Sequence, residues 1–152
     1  MKFKGDIIIT DPCYICKDGD WHRCNCGDNM EILGINTYIC RDTIYGDWSC
    51  TTFNSDTGKD IGGFCADAGM VAVLLLDEVL KYNPDFDYHI ERPWTTTLIK
   101  DFDGEVNFEV VHTEGEYEED TEYWNKGDKW ENDEVQVIGR GNINFVGKQT
   151  GL

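Results

Sequence analysis

Thr95-Thr96-Thr97-Leu98-Ile99-Lys100-Asp101-Phe102-Asp103-Gly104-Glu105-Val106-Asn107-Phe108-Glu109-Val110-Val111-His112 is the stretch that declares the architecture. Val106, Phe108, Val110 and His112 alternate with Asn107, Glu109 and Val111. A period of two puts one set on a buried face and the other in water, as on a half-buried strand. Asp-Gly is the pair that tight two-residue hairpin turns prefer, because both central residues need positive φ. Asp103-Gly104 therefore predicts a hairpin between 95–101 and 105–112.

Outward from there the chain keeps a β rhythm. Gly5–Thr10 reads as a first strand ended by Asp11-Pro12, since proline cannot continue a central ladder. Cys13–Cys16 is a short extended piece, and 29–33 a single helical turn with Asp28 as its cap. Segments 36–41 and 45–53, rich in Thr, Tyr, Ile and Trp, predict a second hairpin, followed by a loop over 54–63. Phe64 to Leu76 is the most apolar segment and reads as the central strand. Asp67-Ala68-Gly69 interrupts it as a bulge or close backbone approach. Leu76 to Tyr82 allows two helical turns, stopped by Asn83-Pro84. After an acidic stretch, 135–139 and 142–146 predict a last strand pair turning at Gly139-Arg140-Gly141. The sum is a mainly β fold, a small barrel or sandwich with one or two short helices. One β domain over 1–152 is expected, with an acidic insert at about 113–134 that projects as a loop or irregular hairpin.

The 152 residues carry 30 acids against 13 Lys and Arg, a net charge of −17. Between Asp103 and Glu134 thirteen acids face only Lys126 and Lys129, so that stretch alone contributes −11. Such a field repels a nucleic-acid polymer and an anionic membrane. A small anion can still bind at local cations, because distant charge is screened beyond about 8–10 Å. The longest apolar run, Met70 to Leu76, is seven residues, far short of the roughly 20 that cross a bilayer. With no export signal the protein is expected in the cytoplasm.

The seven cysteines are an odd number, which with a reducing compartment argues against a disulfide framework. Cys40, Cys50 and Cys65 lie in strand-like segments and read as small core hydrophobes. Cys13-x2-Cys16 and Cys24-x-Cys26 form the one metal-like cluster; tetrahedral thiolate ligation makes a structural zinc conceivable there, although the spacing fits no standard finger. No nucleophile elbow or phosphate-binding loop is present, and no other cofactor is implied. His22, His89 and His112 are scattered, and carboxylate pairs arise by chance among so many acids.

Binding finds more support. Tyr14, Trp21, Tyr45, Trp48 and Phe53 cluster in the first third, one or two of them structural. Tyr14, Tyr45 and Trp48 are the candidates to stack on a planar ligand, at about 1–3 kcal/mol per stack. Arg41, Arg140 and Lys148 are cations outside the acidic stretch, and arginine suits bidentate contacts to phosphate or carboxylate.

Ile9-Thr10-Asp11-Pro12-Cys13-Tyr14-Ile15, then Tyr45-Gly46-Asp47-Trp48, then Ala66-Asp67-Ala68-Gly69-Met70-Val71-Ala72-Val73 occur in order. Over residues 5 to 80 the chain resembles a set of small bacterial and bacteriophage proteins with an early Asp-Pro-Cys-Tyr box and a central Asp-Ala-Gly motif. The usual Gly of the middle turn is Trp48 here. The resemblance implies a phage setting, hence the host cytoplasm. By analogy it also implies a sponge that sequesters a cyclic-nucleotide signal of host immunity. The expectation is a non-enzymatic binder of a small, planar, anionic ligand, best a nucleotide, using Tyr14, Tyr45, Trp48, Arg41, Arg140 and Lys148. One rival is an acidic interaction protein that mimics nucleic acid and blocks a basic host protein. Another is a metal-dependent phosphodiesterase built on Asp11, Asp47 and Asp67. A homo-oligomer, dimer or tetramer, is expected, with the tail 147–152 carrying Lys148 to a neighbouring subunit.

Overall fold

Ile7, Ile8 and Ile9 are completely buried, although successive strand residues face opposite ways. Both faces of this strand must therefore be covered, which is why it reads as an unbroken apolar run. The structure, a computed structural model, describes residues 1–42, 48–87, 95–116, 118, 122 and 125–151. Among them are eight strands in one antiparallel sheet. They are β1 (Lys2–Thr10), β2 (Tyr38–Asp42), β3 (Trp48–Asn54), β4 (Asp60–Ala66), β5 (Met70–Leu75), β6 (Thr96–Glu116), β7 (Lys129–Gly141) and β8 (Phe145–Gly151). Their spatial order is β2-β5-β1-β6-β7-β8-β3-β4.

The sheet curls on itself in the manner of a sandwich, so that β4 lies against β6. Inside the curl, Ile7 and Ile9 meet Val71, Val73, Ile99, Phe102, Val106, Val137 and Phe145. At the crossing Thr52 and Thr97 share a buried hydroxyl hydrogen bond of 2.9 Å. Outside it, Ile8, Ala72 and Leu74 are covered by α2 (Leu76–Tyr82) and by the segment 12–35. That segment holds a 3-10 turn at Pro12–Tyr14, the short helix α1 (Asp20–Arg23) and a 3-10 turn at Met30–Leu33.

The mainly β class agrees with the sequence, as does α2, but several local pairings differ. Asp103-Gly104 makes no hairpin: β6 runs straight through for 21 residues. Its first half pairs with β1, from Thr10↔Thr96 to Lys2↔Glu105, and its second with β7, from Gly104↔Gly141 to Glu116↔Lys129. Gly104 serves this crossing. A Cβ there would lie 2.2 Å from the Arg140 carbonyl oxygen, so only glycine lets the two backbones approach. Residues 36–41 and 48–53 do not pair with each other: β2 pairs with β5, and β3 with β4 and β8. Phe64 to Leu76 is two strands, β4 at one edge of the sheet and β5 near the other. Asp60–Gly63, expected in a loop, belongs to β4. Pro12–Tyr14 is a 3-10 turn rather than extended, and Asn29, not Asp28, precedes the turn at Met30.

At the C-terminal side, the turn falls after Gly141 rather than at 139–141. Of the insert expected at 113–134, residues 113–116 and 129–134 continue the β6–β7 ladder as the arms of a hairpin, while 125–128 form a turn outside it. Residues 147–151 are not an arm toward a neighbour, for β8 lies inside the sheet between β7 and β3. Among the described residues no helix is long and apolar enough to cross a membrane.

Candidate ligand-binding site

The Asp-Pro-Cys-Tyr box proves to be a clamp. Asp11 is fully buried, and its Oδ1 accepts from the Cys13 N–H at 3.0 Å, capping the 3-10 turn that proline starts. Its Oδ2 accepts from the N–H groups of Asp67 and Ala68, each at 2.8 Å, and of Met70 at 3.4 Å. One carboxylate thus joins the box to the Asp-Ala-Gly turn between β4 and β5. Four backbone donors occupy Asp11, which places it in the framework rather than at a reaction centre. Asp67 lies at the same turn; Asp47 falls outside the described residues.

The clamp sets Tyr14 beside Asp67, where burial first and that carboxylate second push its phenol up. Tyr14 lines a hollow of about 260 Å³ with Asn83, Asp85, Phe86, Asp87 and Thr95. This hollow is carboxylate-rich and unsuited to an anion.

Two larger hollows adjoin elsewhere, of about 580 and 490 Å³, within the range of small-molecule sites. Met1 and Asn107 belong to both. The first is walled by Asp28, Glu31, Tyr38 and Arg41, the second by Glu105, Phe108, Glu109, Ile138 and Arg140. Arg41 ends β2, and its guanidinium lies over the Phe108 ring, 6.0 Å from the centroid, so it spans the junction. Its Nη1 also donates to the Cys40 carbonyl at 2.9 Å, one of five N–H donors that a guanidinium carries. Arg140 is exposed on β7, opposite Glu105. At the far wall the Tyr38 hydroxyl donates to Glu31 Oε2 at 2.5 Å. That bond lowers the Glu31 carboxyl; burial, then Glu31, pushes Tyr38 up to about 12. The groove therefore offers a cation on an aromatic face at its centre and carboxylate acceptors at one end.

Of the six residues expected at the site, Arg41 and Arg140 share this composite groove. Tyr14 lies in the other hollow, and Lys148 is exposed on β8 opposite Thr51, lining neither lobe. Tyr45 is outside the described residues. For Trp48 only the backbone is described, paired with Ala66. Phe108 is the residue that sequence reasoning passed over: its place in the alternation marks it as core, and nothing local reveals an arginine arriving from β2.

The cysteine tetrad separates. Cys13 sits against Asp11, Cys16 beside Cys24, and Cys24 is buried with its thiol donating to the Trp21 carbonyl at 3.4 Å. Cys26 is exposed. Among the described residues no three His, Cys, Asp or Glu side chains converge as metal ligands would. Burial pushes the Cys13 thiol up, with Asp11 adding to it; burial also raises Cys16 and Cys40 to about 12, and raises Cys50 and Cys65. These thiols are held neutral, the opposite of what a cysteine nucleophile needs. Comparison with known proteins adds no relative: no family model, no curated protein and no solved structure matches the chain.

Proposed function

We propose that the protein is a non-enzymatic binder of a small, planar, anionic ligand, with a nucleotide messenger as the best candidate. The observation that carries this reading is Arg41 stacked on Phe108 at the junction of the two hollows. The guanidinium supplies charge for a phosphate, and the ring supplies a stacking face beside it. Arg140 adds a second cation on the outer lobe, while Glu31 and Asp28 can accept from hydroxyl or amine groups at the inner one. The phage resemblance gives the reading its biology, sequestration of an immune signal in the host cytoplasm.

A thermal-shift screen of cyclic mono- and dinucleotides tests it. A ligand present at a hundredfold over its Kd adds about 2.7 kcal/mol of stability. Arg41→Ala and Phe108→Ala should each remove the shift while leaving the unliganded melting temperature close to that of the parent for Arg41→Ala. If no nucleotide raises the melting temperature, the reading fails.

A further inference from the structure

The long strand β6 outruns its partner. Val106 donates its N–H to the Met1 carbonyl at 3.0 Å and accepts from the Met1 amino group at 3.1 Å. Both of its backbone groups thus face away from β7. In an antiparallel strand the hydrogen-bonding direction alternates residue by residue. The N–H and C=O groups of Phe108, Val110, His112 and Glu114 therefore face the same way. The first of these amides already has a local partner, Phe108 N–H donating to Asn107 Oδ1 at 2.9 Å. Among the described residues no strand pairs with this edge beyond Val106, although the ladder to β7 continues to Glu116↔Lys129.

The surface beside the edge is not that of a protected one. Val110 is 55% exposed and Val111 36% exposed, and they lie on opposite faces of the strand. Natural edges usually carry lysine, proline or a bulge where they must stay single. Here the exposed charges are acidic: Glu109 on one face of β6, and Glu114 and Glu116 on the other, farther along the face that carries Phe108 and Val110. A second copy is a poor occupant, because self-pairing would set these glutamates against their own kind. A cationic segment is the complementary one. We propose that the outer edge of β6, from Phe108 to Glu114, takes an extended protein segment as an added strand. In that segment basic side chains alternate with apolar ones. The apolar residues lie beside Phe108 and Val110, the Lys or Arg residues lie on the face of Glu109, and a basic residue at the far end of the apolar face meets Glu114. Phe108 and Glu109 at the start of this edge also wall the groove, so a bound nucleotide and the segment would compete at that end, whereas Val110 to Glu114 line neither hollow.

The test is polarisation of a fluorescein-labelled peptide of alternating Lys and Val titrated with the full chain. Saturable binding that weakens with salt is expected. The same residues rearranged as a Lys block and a Val block should bind at least tenfold more weakly. Two N-methylated versions separate the edges: methylation of the amides that face β6 abolishes binding, and methylation of the alternate set does not. Val110→Pro should match the first result, since its N–H is not used toward β7 and proline is tolerated there. A circular-dichroism melt checks that this variant folds; if it does not, the methylated pair on the unaltered protein decides. Equal binding of the block peptide, or indifference to methylation on the β6-facing side, overturns the proposal.

Discussion

Replacing Asp11 with asparagine changes no volume, yet the structure predicts a large loss of stability. The carboxylate accepts four backbone N–H groups, one on Oδ1 and three on Oδ2. An amide has one oxygen, so either Cys13 or the trio Asp67, Ala68 and Met70 must face an NH2 group. The better choice turns the oxygen to the trio and orphans the Cys13 N–H, costing roughly 1–3 kcal/mol for a buried unsatisfied donor. The three remaining bonds fall from charge-assisted to neutral, each about half as strong. Relief of the buried charge offsets part of this, which leaves about 2–4 kcal/mol net. For a chain of this size that is a drop of roughly 5–15 °C in melting temperature. Urea unfolding followed by tryptophan fluorescence, with parent and variant at equal m-values, measures it. A variant within about 0.5 kcal/mol of the parent would refute the clamp, since surface substitutions behave that way.

Three further outcomes follow from the same structure. At pH 8 the native protein should show one fast-reacting thiol toward a disulfide reagent, lost in Cys26→Ser, because Cys26 alone is exposed among the seven. Cys16 and Cys40 are raised from 9.0 to about 12, so they bind protons more tightly folded than unfolded. Their contribution to stability is whole below pH 9 and lost as pH rises toward 12; flat stability over pH 9–11 in urea melts would contradict it. Gly139→Ala should destabilise by about 3 kcal/mol or more, because its Cβ would sit 1.9 Å from a Phe145 ring carbon; an unchanged urea midpoint would show that Phe145 yields freely.

What the sequence made legible was what local patterning governs. The alternation after Glu105 holds at Val106, which is buried, and at Phe108, which is half-buried, but fails at Val110, which is exposed. The acidic pair Asp77 and Glu78 marked the start of α2. Asp103-Gly104 misled because a glycine that frees a turn and one that admits a crossing backbone look alike; Gly141, 37 residues on, makes the difference. Asp11 read as a strand terminator, which it is, but its clamp closes on backbone 56 to 59 residues away. Arg41 was found as a candidate and Phe108 was not, since their contact is made only when the sheet curls. Long-range register, not residue type, is the missing information in each case.

The position of β8 carries a consequence for how the chain is made. The β3–β4 pair joins the rest of the sheet through β8, by contacts such as Cys50↔Gln149 and Phe53↔Val146. Roughly a hundred residues separate the two sides of that seam. Until residue 151 has left the ribosome, β3 and β4 have ladder partners only in each other, and β7 waits beside β6 with its other flank open. The sheet cannot be completed strand by strand as it emerges; it closes late, from the C-terminal side. Nascent chains stalled before Phe145 should remain open to protease across 48–66, and sequences of this topology are slow folders by their nature.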